Sequence, residues 1–292
     1  MRKLLVVVAV ALFGAAFAQT VGLSLSTLNN PFFVEVRDGA QAAADELGLE
    51  LIVTDAQDSV STQISNIEDL LQSGVDVLIV NATDSDAVVP AVMEANSRNV
   101  PVIAVDRSVN GGTLAYFIAS DNLAGGRLAG EFICEQIGGG NVVELEGIPG
   151  ASAARERDRR PRLPRCQGFN EAAAECEGLN VVARQTANFN RAEGLSVMEN
   201  ILVAQPEIDA VFAHNDEMAL GALQRCGADV TLADTGLAEA EGEMDGVICF
   251  ACAMLIDGQP RVLSETRKFA GQRNEVRSKA ARHALLSLER YV

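Results

Sequence analysis

The chain has 292 residues and a formal net charge of -17, from 23 basic and 40 acidic side chains. Such an acidic surface repels phosphate backbones, which argues against a nucleic-acid-binding protein and suits a soluble exported one. The two histidines, His214 and His283, are too few for a histidine-rich metal centre, and we expect neither a metal nor a cofactor. The length allows one large domain or two of medium size.

The N-terminus has the three parts of a secretory signal peptide. A basic segment at residues 1–3 precedes an apolar run at 4–13, and the small-x-small motif Ala16-Phe17-Ala18 follows. A membrane anchor is the alternative, but the apolar run is too short to span a bilayer comfortably. We predict cleavage after Ala18, which would leave 21 basic against 40 acidic residues, a net charge of -19. Lipidation is not indicated, because residue 19 is Gln and not Cys.

Eight short apolar runs along the chain predict β-strands. Most of them lack polar alternation, as expected for strands buried on both faces of a parallel sheet. The predicted strands are 20–26, 49–54, 75–80, 100–105, 115–119, 141–146, 180–185 and 209–213. Amphipathic stripes between several of them predict helices over 33–47, 64–71, 87–95 and 123–137. The alternation of strand and helix predicts an α/β fold with doubly wound parallel sheets and right-handed crossovers.

The strand–helix rhythm changes at residues 120–122, where a predicted strand gives way to a Gly-rich helix start. A new strand–helix series begins at Asn141. We interpret this as a crossing between two similar lobes, 19–120 and 121–223.

Two segments depart from the rhythm of the lobes. Residues 158–167, DRRPRLPRCQ, hold four arginines and two prolines and predict an exposed loop. Residues 224–292 lose the strand–helix pattern almost entirely.

Six cysteines occur in the chain, and none precedes residue 134. We predict a disulfide between Cys134 and Cys176, because both lie near the ends of helices that flank the strand at 141–146, and export permits oxidation. Two separate buried thiols are the alternative. Cys249-x-x-Cys252 resembles a redox or zinc pair, but it lies in an apolar run with no second ligand pair nearby, so we do not predict a metal site there.

Polar and aromatic residues follow most of the predicted strands. In a parallel α/β sheet the carboxyl ends of the strands lie along one edge, where such folds bind ligands. Amides, carboxylates and guanidinium groups hydrogen-bond hydroxyls, and aromatic rings cover C–H faces, so this inventory predicts a small, neutral, hydroxyl-rich ligand. The residues at these strand ends are Thr27, Asn29, Asn30, Phe32, Asn81, Thr83, Asp84, Asp106, Arg107, Arg155, Arg157, Asn188, Phe189, Asn215 and Asp216.

Structural roles compete with binding at several of these positions. Asn30 and Asn215 have the sequence context of helix N-caps. The neighbours Phe32 and Phe33 cannot both face one core, so we expect at least one in the cleft. The adjacent pair Asp106-Arg107 could be a surface ion pair, but its place at a strand end favours binding. Phe189 could be a core residue, but its polar neighbours favour an exposed position in the cleft.

An exported sugar-processing enzyme is the main competing class. The first strand is followed by Thr27-Leu28-Asn29-Asn30, and not by the glycine-rich phosphate loop of a nucleotide-binding enzyme. The sequence also lacks Gly-x-Ser-x-Gly. We therefore expect a protein that is not an enzyme.

Seven strings in the chain closely resemble the exported ribose-binding proteins, a branch of the periplasmic sugar-binding family. They occur in the family's order between residue 20 and about residue 223. The strings are STLNNPFF (26–33), NATDSDAV (81–88), VDRS (105–108), IASDN (118–122), SAARER (152–157), ANFNR (187–191) and HNDEMALGA (214–222).

The resemblance implies two doubly wound lobes, joined by three hinge strands, that close on a monosaccharide, with ribose as the first choice. It also implies a periplasmic, monomeric protein whose partner is the membrane permease of an ATP-driven importer. Phe32 and Phe189 would lie on the two faces of the sugar. Carried over by matching string, the nine candidate ligand residues are Asn30, Phe32, Phe33, Asn81, Asp106, Arg107, Arg157, Phe189 and Asn215. A transcription regulator of the same fold would need a DNA-binding headpiece where the signal peptide stands.

The sequence departs from the family pattern in two places. The insertion at 158–167 separates the RER string from Gly168-Phe169 and so affects the orientation of Arg157. Beyond residue 223 the resemblance ends, and the last stretch, 261–290, is rich in Arg and Lys. We predict a reading-frame shift as the cause, with a truly divergent segment as the alternative. A shifted chain would be a non-binding remnant of a sugar-binding protein.

Overall fold

The structure, a computed structural model, describes residues 19–154, 168–226, 230–237, 247–256, 259–268 and 270. Its helices and strands are given in chain order. The strands are β1 (Thr20–Leu25), β2 (Glu50–Asp55), β3 (Val77–Val80), β4 (Val102–Val105), β5 (Tyr116–Ile118), β6 (Gly140–Glu146), β7 (Leu179–Thr186), β8 (Ala210–Ala213), β9 (Val230–Leu237), β10 (Val247–Ile256) and β11 (Gln259–Lys268). The helices are α1 (Pro31–Leu47), α2 (Val60–Ser73), α3 (Val89–Ser97), α4 (Asn122–Ile137), α5 (Gly168–Glu175), α6 (Arg191–Ala204) and α7 (Asp216–Cys226).

The first lobe is built on β1–β5 with α1–α3. Its five strands are all parallel, in the order β2-β1-β3-β4-β5. One face of the sheet packs against α2 and α3 through residues that include Ile67, Leu78 and Val92. The other face packs against α1, where Leu23 and Phe33 are buried together. The sheet therefore has a helical layer on each face, as predicted.

The second lobe is built on a smaller sheet. Its three parallel strands have the order β7-β6-β8. On one face, Phe169 of α5 packs with Val142 and with residues of α4. On the other, Met198 of α6 and Met218 of α7 are buried against Leu145. The eight predicted strands match β1–β8, with ends that differ by only a few residues.

A disulfide joins Cys134 in α4 to Cys176, the residue that follows α5. The two Cα atoms lie 6.0 Å apart, within the range a disulfide spans. Close approach of the two helices brings the cysteines together. A Cβ atom at Gly168 would lie 2.1 Å from the backbone oxygen of Leu123, so only glycine permits this spacing. The predicted disulfide is therefore present in the structure, and the alternative of two separate buried thiols is wrong.

The crossing between the lobes follows β5, an edge strand of the first sheet. All three residues of β5 are exposed. After residues 119–121 the chain enters α4, where Asp121 caps the helix by accepting a hydrogen bond from the Ala124 backbone N–H at 3.0 Å.

Three strands beyond residue 223 form a separate antiparallel sheet in the order β11-β10-β9. The prediction that strand–helix alternation ends there is consistent with this sheet. The predicted strands, however, stop at residue 213, so these three were missed. The Asp-Gly pair at 257–258, directly after the apolar run at 247–256, is a hairpin signal that could have indicated two of them.

No helix in the described part of the chain combines the length and the apolar character needed to cross a bilayer.

Candidate functional site

The carboxyl ends of the strands of both lobes face each other, and direct hydrogen bonds cross between the lobes. Three serines, Ser85, Ser108 and Ser152, form what we call the interlobe serine cluster. The Ser152 backbone N–H donates to Ser85 Oγ at 3.2 Å, and the Ser108 N–H donates to Ser152 Oγ at 2.8 Å. The Ser85 N–H in turn donates to the Gly150 oxygen at 3.0 Å. The structure therefore shows the lobes in contact, in a closed arrangement.

Arg107 lies at the centre of this closed arrangement, with its side chain 3% exposed. Its guanidinium carbon is 5.1 Å from the ring centroid of Phe33 in the first lobe and 5.2 Å from that of Phe189 in the second. Nη1 donates to the Ala82 oxygen at 3.3 Å. A guanidinium held between two rings is attracted by both π faces. It also presents fixed donors to any ligand beside it.

Asp106 supplies a carboxylate beside this guanidinium. Asp106 Oδ2 lies 3.6 Å from Arg107 Nε, and the Asp106 side chain is 22% exposed. The residue has a φ of +62°, and its backbone N–H donates to the Ile118 oxygen at 2.8 Å. Because Arg107 is buried, the pair is not the surface ion pair that the sequence left open. Its left-handed backbone turns the chain at the end of β4, so that the two side chains lie together.

Asn81 links three strand ends of the first lobe and is fully buried. Its Oδ1 accepts from Ser26 Oγ at 2.7 Å, after β1. Its Nδ2 donates to the Val105 oxygen at 3.0 Å and lies 3.5 Å from Asp106 Oδ2. The Val105 carbonyl can only accept and the Ser26 backbone N–H, which bonds to Oδ1, can only donate, so these two partners fix which way the amide points. The Asp106 carboxylate is thereby flanked by one amide donor and one guanidinium.

The two phenylalanines at the start of α1 face different ways. Phe33 is 3% exposed and belongs to the core of the first lobe, whereas Phe32 is 44% exposed. Their rings meet edge to face with centroids 5.1 Å apart. Phe32 is thus the one that lies outside the core, and its place in the cleft stays a prediction. Phe33 is held by the core, and its ring also meets Arg107.

Both asparagines with cap-like sequence contexts do cap helices. Asn30 Oδ1 accepts from the Phe32 N–H at 3.0 Å, with Pro31 in the first helical turn. Asn215 Oδ1 accepts from the Met218 N–H at 3.0 Å. Its Nδ2 donates to the Phe189 oxygen at 3.0 Å, so Asn215 also orients the loop that carries Phe189.

Phe189 is 9% exposed and packs with the core of the second lobe. The expectation of an exposed position, drawn from its polar neighbours, was wrong. Its ring rests on the Cα side of Gly147, where an added Cβ would lie 2.1 Å from the ring, and the guanidinium of Arg107 lies over the ring. The neighbouring Asn188 and Asn190 are exposed, so only the ring turns inward.

Asp58, just after β2, carries a carboxyl near Arg107 that the sequence analysis missed. Burial raises the pKa of its carboxyl above the ordinary 3.8, while the charge of Arg107 and a hydrogen bond from Thr27 act to lower it. The nearby carboxylate of Glu193 in the second lobe raises it further. The polar run at 55–59 could have drawn attention to Asp58, since it ends a strand as the other candidates do.

Eight of the nine candidates lie in the described residues; Arg157, with the 158–167 insertion, lies outside them. Arg107, Phe33 and Phe189 are in contact, and Asn81 and Asp106 adjoin them. Among the described residues no group of three or more His, Cys, Asp and Glu could hold a metal ion. The arrangement offers buried charged groups and amides between aromatic rings, which suits a small polyhydroxylated molecule enclosed by two lobes.

Comparison with known proteins assigns the chain to a family. The model of the periplasmic binding protein domain matches residues 21–261, which reaches past residue 223, where the matching strings end. The ribose import binding protein RbsB of Bacillus subtilis is 50% identical over 206 residues, covering 70% of this chain and 64% of that protein. Its counterpart in Escherichia coli is 48% identical and covers 77% of this chain and 75% of the relative. The chain thus spans about two thirds to three quarters of these relatives' length.

Solved structures give the same assignment. The Caulobacter myo-inositol binding protein, bound to myo-inositol, has a TM-score of 0.67 at 32% identity and covers 75% of this chain and 74% of its own. The binding protein of an arabinose transporter from Shewanella sp. ANA-3, bound to L-arabinofuranose, has a TM-score of 0.65 at 33% identity and covers 71% of this chain and 68% of its own. With two parallel-sheet lobes that meet at the carboxyl ends of their strands, this chain belongs to the periplasmic binding protein family and has its type I fold.

Proposed function

We propose that this protein captures a monosaccharide, ribose in the first place, between its two lobes and delivers it to an ATP-driven membrane importer. The observation that carries the proposal is Arg107, which is buried between a ring of each lobe and has Asp106 beside it. A sugar bound to this group in the closed arrangement would lie between the two lobes, so binding and closure would be coupled. The relatives at 50% and 48% identity are ribose import binding proteins, which supports ribose.

The proposed sugar site contains all nine residues carried over from the family. The carboxylate, amide and guanidinium groups take the hydroxyls, and Phe32 and Phe189 cover the two faces of the sugar. The members are Asn30, Phe32, Phe33, Asn81, Asp106, Arg107, Arg157, Phe189 and Asn215.

The proposal also covers the processing, location, oligomeric state and partners of the protein. Residues 1–18 are removed as a signal peptide after Ala18, and the mature protein acts in the periplasm as a monomer. Residues 19–120 and 121–223 form its two lobes. Its partners are the sugar and the membrane permease, not nucleic acid, and it releases the sugar unchanged, without catalysis.

Calorimetry with ribose, arabinose, xylose, allose and myo-inositol tests the proposal. We expect saturable binding with one site, tightest for ribose, and a higher melting temperature in its presence, because a ligand bound only to the native state stabilises that state. Labelled ribose should be recovered intact after incubation. Turnover would instead support the sugar-processing enzyme, and a folded chain that binds no sugar would support the non-binding remnant.

A further inference from the structure

We infer that His214 is a positioning residue of the sugar site: paired with Glu144, it fixes the backbone of Gly147, on which the Phe189 ring rests. The inference rests on the proposed function in one respect, because it takes the Phe189 ring as a wall of the sugar site.

His214 follows β8 directly, and its ring bonds to Glu144 of β6 and to Gly147, the residue after β6. The Gly147 backbone N–H donates to His214 Nδ1 at 3.2 Å. His214 Nε2 lies 3.1 Å from Glu144 Oε1, and both side chains are fully buried. A backbone N–H can only donate, so Nδ1 carries a lone pair. The ring proton is therefore on Nε2, which donates to the carboxylate.

Glu144 is held in turn from the other side. Its Oε2 accepts from Arg184 Nε at 2.7 Å, and the Arg184 side chain is 41% exposed. Arg184 also donates to Asn170 Oδ1. A buried carboxylate is stable only when it is paired and hydrogen-bonded. The chain of contacts from Arg184 through Glu144 thus fixes both the tautomer and the orientation of the His214 ring, as a carboxylate does for a metal-binding histidine.

The Phe189 ring lies against the residue that His214 holds. A Cβ atom at Gly147 would lie 2.1, 2.3 and 2.6 Å from the Cζ, Cε1 and Cε2 atoms of Phe189, so the ring covers the glycine directly. Phe189 has a φ of +58°, and its carbonyl accepts from Asn215 Nδ2. Two adjacent residues thus hold the phenylalanine: His214 fixes the surface under its ring, and Asn215 fixes its backbone.

A simple packing role for the His214 ring is the alternative. The ring does contact Phe212, with centroids 5.4 Å apart, and an apolar side chain could fill the same space. Such a side chain would leave the Gly147 N–H and one oxygen of Glu144 without these bonds, in a buried place where lost partners are costly. Packing and positioning therefore predict different results for an apolar and a polar replacement.

The experiment compares His214→Leu, which fills the space, with His214→Gln, which keeps a donor and an acceptor. His283→Gln is the control, since the sequence has only these two histidines. The first readout is hydrogen exchange at the Gly147 amide, with the Leu145 amide of the same strand as a measure of the intact fold. The second is ribose affinity by calorimetry. The third is the NMR spectrum of the imidazole nitrogens of the unmutated protein near neutral pH. The signals that are missing in His283→Gln belong to His283, so the remaining signals belong to His214.

Positioning predicts that His214→Leu speeds exchange at Gly147 and weakens ribose binding, each by about tenfold or more, while Leu145 stays protected. His214→Gln should stay within about threefold of the unmutated protein in both measurements. Unchanged Gly147 exchange and affinity in the leucine variant would overturn the inference. So would a nitrogen spectrum with the His214 proton on Nδ1, a result that needs no variant to fold.

Failure of the proposed function gives a different pattern. If the unmutated chain binds no sugar, calorimetry shows it directly, whereas exchange at Gly147 and the nitrogen spectrum still decide whether His214 holds this backbone.

Discussion

The guanidinium carbon of Arg107 lies 5.2 Å from the centroid of the Phe189 ring, although the two residues belong to different lobes. Arg107 is buried in this position, so the contact lies away from water, where a cation–π interaction contributes about 2 kcal/mol. Opening of the lobes would break this contact and return the guanidinium to solvent. Arg107 thus responds to closure as well as to the ligand, and the groups around it are the natural targets for mutation.

Replacement of Asp106 should abolish detectable sugar binding. Asp106→Ala removes the carboxylate that lies beside Arg107 and that takes a sugar hydroxyl in the proposed site, at a cost of roughly 2–5 kcal/mol in a dry cleft. Alanine also fits poorly at the φ of +62°. Asp106→Asn tests the charge alone, because asparagine tolerates this conformation, and we expect it to weaken binding by about tenfold or more. Calorimetry measures both.

The matched control for Asp106 is Asp38→Asn, since the Asp38 side chain is 56% exposed on the surface of α1. It loses the same charge, and its affinity should not change. An Asp106→Asn variant with the affinity of this control would remove Asp106 from the site.

Gly147→Ala should weaken sugar binding through Phe189. The new Cβ would lie within 2.1–2.6 Å of three ring atoms, so the ring must move, and we expect a loss of affinity of about tenfold or more. Gly39→Ala is the control, because nothing lies within 4 Å of a Cβ there and alanine favours the helix. Calorimetry and a melting curve for each variant separate lost binding from lost stability. Equal affinities in the two variants would contradict the proposed place of the ring.

The disulfide should contribute to stability and not to affinity. It closes a loop with a sequence separation of 42 residues, for which the chain-entropy relation gives roughly 4 kcal/mol. Cys134→Ser with Cys176→Ser should lower the free energy of unfolding in urea by about this amount, while the ribose affinity of the folded fraction stays unchanged. Peptide mapping without reductant should recover the two cysteines in one linked peptide. Free thiols at both positions would contradict the bond.

Asp58→Asn should change how stability depends on pH. Burial raises the pKa of the Asp58 carboxyl above 3.8, so the folded state holds this proton more tightly than the unfolded state. The carboxyl's contribution to stability is therefore greatest below 3.8 and is lost as the pH rises through the raised value. Relative to the unmutated protein, Asp58→Asn should gain stability as the pH rises through that window.

Urea unfolding at a series of pH values between about 3 and 7 measures the gain from Asp58→Asn. Asp38→Asn is again the control for one lost charge. A stability difference that is constant with pH, or that shrinks as the pH rises, would show that burial does not raise this pKa.

Sequencing the gene tests the predicted frame shift. If it is real, a different frame downstream of residue 222 should encode a strand that ends in Phe-Asp-Gly, as the family resemblance implies. The absence of such a strand from both alternative frames would favour a truly divergent segment. The domain model matches the chain as far as residue 261, so the three reading frames should be compared first over the DNA that encodes residues 223–261.

The strands of both lobes could be predicted from sequence because most of them are continuous apolar runs. The run at 100–105, for example, became β4 (Val102–Val105), in which Val102 and Ala104 are fully buried. The order of strands could not be predicted from such runs. Asp58 follows β2, which lies three places from β4 in the sheet, so its effect on Arg107 depends on the whole packing of the lobe and not on spacing in the chain.

The burial of the Phe189 side chain also could not be predicted from the residues next to it in the sequence. The neighbours of Phe189 are polar and exposed, yet the ring is covered by Gly147, more than 40 residues earlier, and by Arg107 from the other lobe. The capping roles of Asn30 and Asn215 could be predicted, because a helix N-cap is recognised from the few residues that follow it. Local bonds were thus predictable, and contacts that depend on how two lobes meet were not.

If the protein carries a sugar as proposed, the interlobe serine cluster has a consequence for the timing of transport. Its bonds join backbone and serine groups of the two lobes, so they favour closure whether or not a sugar is present. They raise the closed fraction of the empty protein, and once a sugar is enclosed they lengthen its residence time. Whatever receives the sugar must first break these bonds, so the strength of the cluster sets how fast the cargo can be unloaded as well as how firmly it is carried.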